Sequence, residues 1–172
     1  MTSAEFSVRP ATIADVEAIA RHRAEMFRDI HSLGDELVTA VDDASRIAIA
    51  HLLDAGEYLG WLVTPAAEPD TIVAGAGIRL RPALPSIQTR AGRTEVITGQ
   101  QGLIVNVYTE RPWRRRGLAA LVMRHVLEGA RAHRLASIVL HASRDGRALY
   151  ESMGFVPTNE MRYAGGATEE SQ

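Results

Sequence analysis

Between residues 118 and 130 the apolar side chains Ala119, Val122, Met123, Val126, Leu127 and Ala130 recur with spacings of 3, 1, 3, 1 and 3. In a helix that spacing draws one continuous stripe, which has to be covered. On either side lie the runs Gly102-Leu-Ile-Val-Asn-Val-Tyr-Thr109 and Ala136-Ser-Ile-Val-Leu-His-Ala142, short, apolar and rich in β-branched residues, as buried strands are. Strand, helix and strand in that order predict a βαβ unit, with parallel strands and a right-handed crossover. The chain is thereby committed to a sheet with helices packed on it.

The rest of the chain adds to that frame. Thr12 is a good N-cap for a helix with Ile13, Val16, Ile19, Ala20 and Met26-Phe27 at helical spacing, ending near Ile30. After Gly34 a second amphipathic helix runs from Asp35 to about Gly56. Glu57 to Thr64 and Thr71 to Leu80 read as the two strands of a hairpin, in which Gly75-Ala-Gly77 marks a bulge or close packing. Residues 81 to 100, with two prolines, two glycines and no periodicity, read as a long loop. A helix of about two turns from Asp145 to Met153 stops at Gly154 as a left-handed cap, one or two strands follow between Phe155 and Tyr163, and 164–172 is a tail without order.

A chain of 172 residues, 46% hydrophobic, suits one domain, assigned here to residues 1–163. It has no lysine and no cysteine. Schiff-base chemistry, lysine-bearing phosphate loops, thiol nucleophiles and cysteine-held metals are therefore excluded, and no metal is expected. The apolar runs are too short to cross a membrane and the first residues lack the pattern of a secretory signal, so a cytoplasmic protein is expected. Nucleic acid is not an expected partner, since the pI is about 6.3 with 5% aromatics.

Charge is unevenly distributed. Residues 1 to 70 hold five arginines against thirteen acids, a balance of −8, whereas residues 111 to 134 hold seven arginines against Glu128, a balance of +6. The basic stretch opens a helix. Arg114-Arg115-Arg116-Gly117-Leu118-Ala119 follows a strand and a short turn, so unpaired amides, the helix dipole and forked guanidinium donors converge where Gly117 lets an anion approach the main chain. These are the requirements of a phosphate site.

Arg114-x-x-Gly117-x-Ala119, preceded by Val105-Asn-Val-Tyr-Thr109 and a Pro-Trp turn, resembles the Q/R-x-x-G-x-G/A motif of the GCN5-related N-acetyltransferase (GNAT) family. Ala148-Leu-Tyr-Glu-Ser-Met-Gly-Phe155 is similar to a second signature of that family, A-x-x-L-Y-x-x-x-G-F, except that Ala148 directly precedes Leu149. The resemblance spans about residues 5 to 163 and is strongest over 102 to 156.

The resemblance implies an α/β (α+β) fold, with a central mixed, mostly antiparallel sheet of six to seven strands splayed between the fourth and fifth and about four flanking helices. It implies acetyl-CoA as co-substrate, its pyrophosphate on the main chain of Arg114, Arg115, Arg116, Gly117, Leu118 and Ala119. The pantetheine arm would pair with Val107, Tyr108 and Thr109 as an added strand would. Tyr150 matches the family's proton donor to the departing thiolate. The base is left open between Glu110, His141 and a water chain. The acceptor, a small-molecule or peptide amine, would meet the first two helices near Phe27, Asp29, Asp35 and Glu36, whose carboxylates would attract a cationic amine. A non-catalytic acetyl-CoA sensor and a protein N-terminal or lysine acetyltransferase are the competing readings, and a homodimer is compatible with all of them. Without a thiol to carry the acyl group, transfer is expected to be direct.

Overall fold

The computed structural model describes residues 5–90, 92–158, 160 and 161 and divides the chain into two compact units, Met1–His141 and Ala142–Gln172. The first unit opens with β1 (Phe6–Pro10), a strand the sequence reading omits. It pairs antiparallel with β2 (Tyr58–Pro65) through Val8↔Val63 and lies at the end of the sheet, where a proline without an amide hydrogen is tolerated. Asp15 then fastens the turn into the first helix. Its carboxylate accepts from the Thr12 amide at 2.8 Å and from both arms of the Arg9 fork at 2.9 and 2.7 Å.

Helices α1 (Val16–His31) and α2 (Asp35–Asp54) form an antiparallel pair, divided by Ser32 in a left-handed conformation. Ile19 and Ala20 of α1 and Ile49 of α2 pack with Tyr58 and Leu62 of β2, and Val105 is laid against them. The adjacent β2 residue Trp61 points to the other face of the sheet, as strand alternation requires. There it meets α3 (Leu118–Ala132) so closely that a Cβ on Gly129 would stand 2.1 Å from the indole ring. The sheet is thus covered on both faces, with Val122, Met123 and Val126 of α3 fully buried.

The five strands among the described residues stand in the order β1-β2-β3-β4-β5, fewer than the six to seven expected. No strand forms among the described residues after Phe155. The larger correction concerns residues 81–100. They are the outer part of a long hairpin between β3 (Ala74–Arg90) and β4 (Arg93–Thr109), paired from Arg81↔Gln101 to Arg90↔Arg93. Both faces of this arm meet solvent, and Leu84, Ile87 and Val96 are exposed; no alternation was imposed on its sequence because no core lies beneath it.

The βαβ unit forms as predicted, with β5 (Ser137–Leu140) parallel to β4 from Gln101↔Ser137 to Ile104↔Leu140. The second unit carries α4 (Arg147–Ser152), whose end is closed by the Met153 and Phe155 amides on the Tyr150 carbonyl, both at 3.0 Å. Gly154 takes φ +90°, as expected of its cap position. The tail at 164–172 and the end of the predicted last strand lie outside the described residues. Among the described residues no helix is long and apolar enough to cross a membrane.

Candidate functional site

Strand β4 carries a kink at Asn106. Gly75 faces Tyr108 but Gly77 faces Val105, so Asn106 and Val107 together oppose Ala76, and Asn106 has φ +57°. This is a β-bulge, and asparagine is among the few residues that accept the left-handed conformation. The Gly75-Ala-Gly77 segment lies opposite that bulge and is closely packed, since a Cβ on Gly77 would lie 2.2 Å from the Tyr58 hydroxyl. Asn106 is held on both sides. Its Nδ2 donates to the Tyr58 hydroxyl at 3.1 Å, and its Oδ1 accepts from Arg23 Nη1 at 2.7 Å. Burial pushes the Tyr58 hydroxyl up to about 12 against the opposing effects of Asn106 and Arg23, so it stays protonated.

The bulge lies beside a free stretch on the far edge of β4. Pairing with β5 ends at Ile104, and beyond it the main chain of Val105 to Thr109 that faces away from β3 meets no strand among the described residues. The free edge expected between the fourth and fifth strands thus lies where β5, paired over all four of its residues, ends at Leu140, and the bulge stands two residues further along β4.

Immediately after β4 the chain makes one 3₁₀ turn, Arg111–Trp113, and enters the loop before α3. Arg115 and Gly117 both have left-handed backbone, φ +65° and +77°. The first amide of α3 answered within the helix is that of Leu121, on the Gly117 carbonyl at 3.0 Å, which leaves those of Leu118, Ala119 and Ala120 unanswered by the helix. A Cβ on Gly117 would meet nothing within 4 Å. Open space, unanswered amides and a helix dipole coincide there, which suits a phosphate. Leu118 is buried and anchors the turn, Arg115 is exposed, and the Arg116 guanidinium lies over the Trp113 ring at 4.7 Å.

Arg114 is drawn back toward the sheet. Its Nε donates to the Thr109 carbonyl at 3.0 Å, its guanidinium stands 5.4 Å from the Tyr108 ring centre, and its Nη2 is bonded to Asp29 on α1. Arg111 Nη2 holds the other oxygen of Asp29 at 2.6 Å. Partial burial opposes ionisation of Asp29, but the two arginines hold its carboxyl below the usual range. A residue expected on the acceptor side is thus joined to one expected on the donor side.

Glu110 closes β4, its amide donating to the Val73 carbonyl at 2.9 Å. Its Oε1 receives Arg21 Nη1 at 2.5 Å and lies 3.2 Å from His22 Nε2. Burial, and next the Arg21 charge, lower the His22 pKa to about 4. The ring is therefore neutral at pH 7, and a carboxylate neighbour fixes its proton on Nε2. His141 directly follows β5 and is exposed.

On the acceptor side the Phe27 ring stacks on His31 at 5.8 Å, and its face receives the Arg23 guanidinium at 4.8 Å. Asp35 pairs with Arg28 at 2.6 Å, and Glu36 is exposed. Of the carboxylates expected to meet the acceptor, Asp29 and Asp35 are thus paired with arginines. A separate cleft of about 170 Å³ between α1 and α2 is lined by Arg21, Glu25, Thr39 and Asp42, none of them among the residues expected for the acceptor.

In the second unit Tyr150 is buried, with its ring edge-on to Phe155 at 6.1 Å and Gly146 beneath it, where a Cβ would come within 2.8 Å of the ring. Burial raises its pKa above the ordinary value, so it is a phenol at neutral pH. No described side chain or carbonyl is bonded to that hydroxyl.

Sequence reasoning gives His22, Arg23, Tyr58 and Asn106 no role at the site. A signal existed. His22 and Arg23 stand three and four residues after Ile19, in the apolar row that ends at Phe27, where a charged side chain needs a reason.

The acetyltransferase (GNAT) family model matches residues 17–155. Comparison with curated proteins returned no match. Among solved structures, a GCN5-related N-acetyltransferase from Ralstonia eutropha JMP134 is 29% identical, with 92% of this chain and 97% of that one covered and a TM-score of 0.78. A predicted acetyltransferase with acetyl-CoA from Clostridium acetobutylicum is 24% identical, with 93% and 96% covered and a TM-score of 0.76. An aminoglycoside N-acetyltransferase in complex with CoA shares the fold at 11% identity, with 96% and 97% covered and a TM-score of 0.65.

Proposed function

The chain belongs to the acetyltransferase (GNAT) family and is an acetyl-CoA-dependent N-acetyltransferase, and we propose that it transfers the acetyl group directly to a primary amine of a small molecule or peptide, within one ternary complex. The supporting observation is the junction of two features, an unpaired β4 edge past the Asn106 bulge and a helix start with unanswered amides over Gly117. The first offers main-chain groups to an amide-bearing arm, and the second offers an anion site to a pyrophosphate. Acetyl-CoA supplies the activated acyl group as a thioester.

In this reading Val107, Tyr108 and Thr109 pair with the pantetheine arm, and the amides of Arg115 to Ala119 hold the pyrophosphate. Tyr150 donates the proton that the departing thiolate needs. The protonated hydroxyl carried by its buried ring, and its place in the Ala148–Phe155 motif, support that role. Glu110 takes the acceptor's proton through water at Oε2, since Arg21 and His22 occupy Oε1. The family match runs through both compact units, which supports residues 1–163 acting as one domain.

The test is release of free thiol from acetyl-CoA by the purified protein with a panel of amines, amino acids, polyamines, aminoglycosides and peptides. Amine-dependent release with an N-acetylated product is expected. Binding of acetyl-CoA with no transfer to any amine would favour a sensor.

A further inference from the structure

Three arginines among the described residues are partly buried, Arg23, Arg28 and Arg46. Two of them are matched by carboxylates. Arg28 pairs with Glu25 and Asp35, and Arg46 with Asp42 and Glu17. Arg23 has no carboxylate among the described residues. Its one hydrogen bond among the described residues runs from Nη1 to the neutral amide oxygen of Asn106, and its face rests on Phe27. Burial pushes its pKa below the ordinary value, opposed only by Tyr58, yet a guanidinium stays charged throughout the physiological range.

A partly desolvated cation without a counter-charge is costly, and chains that keep one use it to receive an anion. The geometry of the remaining donors is specific. With Nη1 committed to Asn106, the edge formed by Nε and Nη2 is left over, and neither nitrogen is both buried and unpartnered, so that edge reaches solvent. Two parallel N–H groups on one edge match the two oxygens of a carboxylate. The same guanidinium is tied to the bulge at Asn106, two residues past the last β4–β5 pair.

We propose that Arg23 receives a carboxylate carried by the acceptor, so that the amine acetylated belongs to a small amino carboxylate rather than to a polycation. This rests on the transferase reading above and narrows its substrate class. The arginine matching of Asp29 and Asp35 agrees with it, because those carboxylates no longer present a bare acidic surface to a polyamine. Asn106 and Phe27 act as positioning residues, the first holding Nη1 and the second supporting the plane of the fork.

The test is thiol release with matched acceptors, each amino acid against its carboxamide, for the wild type and for Arg23→Gln and Arg23→Lys. The wild type should favour the acid over the amide by about tenfold to a hundredfold in kcat/KM, mainly through KM, the range expected of one charge-assisted fork. Arg23→Gln should bring that ratio close to one, and Arg23→Lys should restore part of it. Because the readout is a ratio, loss of overall activity in a variant does not obscure it. Equal use of acids and amides by the wild type, or an acid preference unchanged in Arg23→Gln, would overturn the assignment while leaving the transferase reading intact. Binding of acetyl-CoA with no transfer to acid, amide or polyamine would overturn both.

Discussion

The Arg114 guanidinium on the loop before α3 is bonded to the Asp29 carboxylate of α1 while its Nε donates to the Thr109 carbonyl. One side chain thereby links the helix start, the end of β4 and the first helix. Asp29 steadies the loop, and its charge opposes the anion the loop is built to receive. Asp29→Asn should therefore tighten acetyl-CoA binding about two- to fivefold at low ionic strength, with the gain fading as salt screens the pair. Calorimetry at two salt concentrations checks this.

Gly117 has left-handed backbone, and the space above it is open. Gly117→Ala should cost about 1 kcal/mol of stability from that conformation and weaken acetyl-CoA binding about tenfold, because the methyl stands before the unanswered amides. Thermal melts and titration separate the two effects. A variant that binds as the wild type does would remove the loop from the phosphate site.

Tyr150→Phe keeps the ring contact with Phe155 and removes only the hydroxyl. Turnover should fall at least about tenfold, with acetyl-CoA affinity nearly intact. Since burial raises the Tyr150 pKa, the wild-type rate should show no loss of this acid between pH 7 and 9. Unchanged turnover in the variant would exclude Tyr150 as the donor.

His22 is buried and neutral, with its pKa lowered from 6.5 to about 4. The unfolded chain binds this proton at higher pH than the folded one, so the associated stability is fully present above about pH 6.5 and is lost as pH falls toward 4. At about 1.4 kcal/mol per unit, the loss is on the order of 3 kcal/mol. Denaturant melts between pH 7 and 4 should show it, and His22→Gln should flatten that part of the profile.

These features differ in how plainly the sequence announces them. The α3 stripe and the runs before and after it are readable because each is pressed against a core, which imposes a period. Ser152 and Gly154 bracket the end of α4 where the cap was expected. Residues 81–100 gave no such signal, because the arm they form is exposed on both faces and is held by main-chain pairing to which any sequence can contribute. β1 was missed because it is an edge strand of five residues with only Phe6 buried.

At the site the divide is similar. The Arg114–Ala119 loop depends on backbone conformation at a glycine, and a glycine marks itself in sequence. The pairings of Arg23 with Asn106, of Asp29 with Arg114 and of His22 with Glu110 join α1 to β4 and the loop that follows it across more than eighty residues. Partners that far apart are set by tertiary packing, and no local spacing encodes them. The acids of the first seventy residues show the cost. Counted alone they suggest attraction for cations, whereas in the fold arginines meet several of them.

The central claim is direct transfer from acetyl-CoA to an amine with both held at once. Initial rates of thiol release, measured while both substrates are varied, test it most directly. The account predicts intersecting double-reciprocal lines and no acetyl adduct on the protein after incubation with acetyl-CoA alone. Parallel lines with an acetylated protein, or release indifferent to the amine, would contradict it.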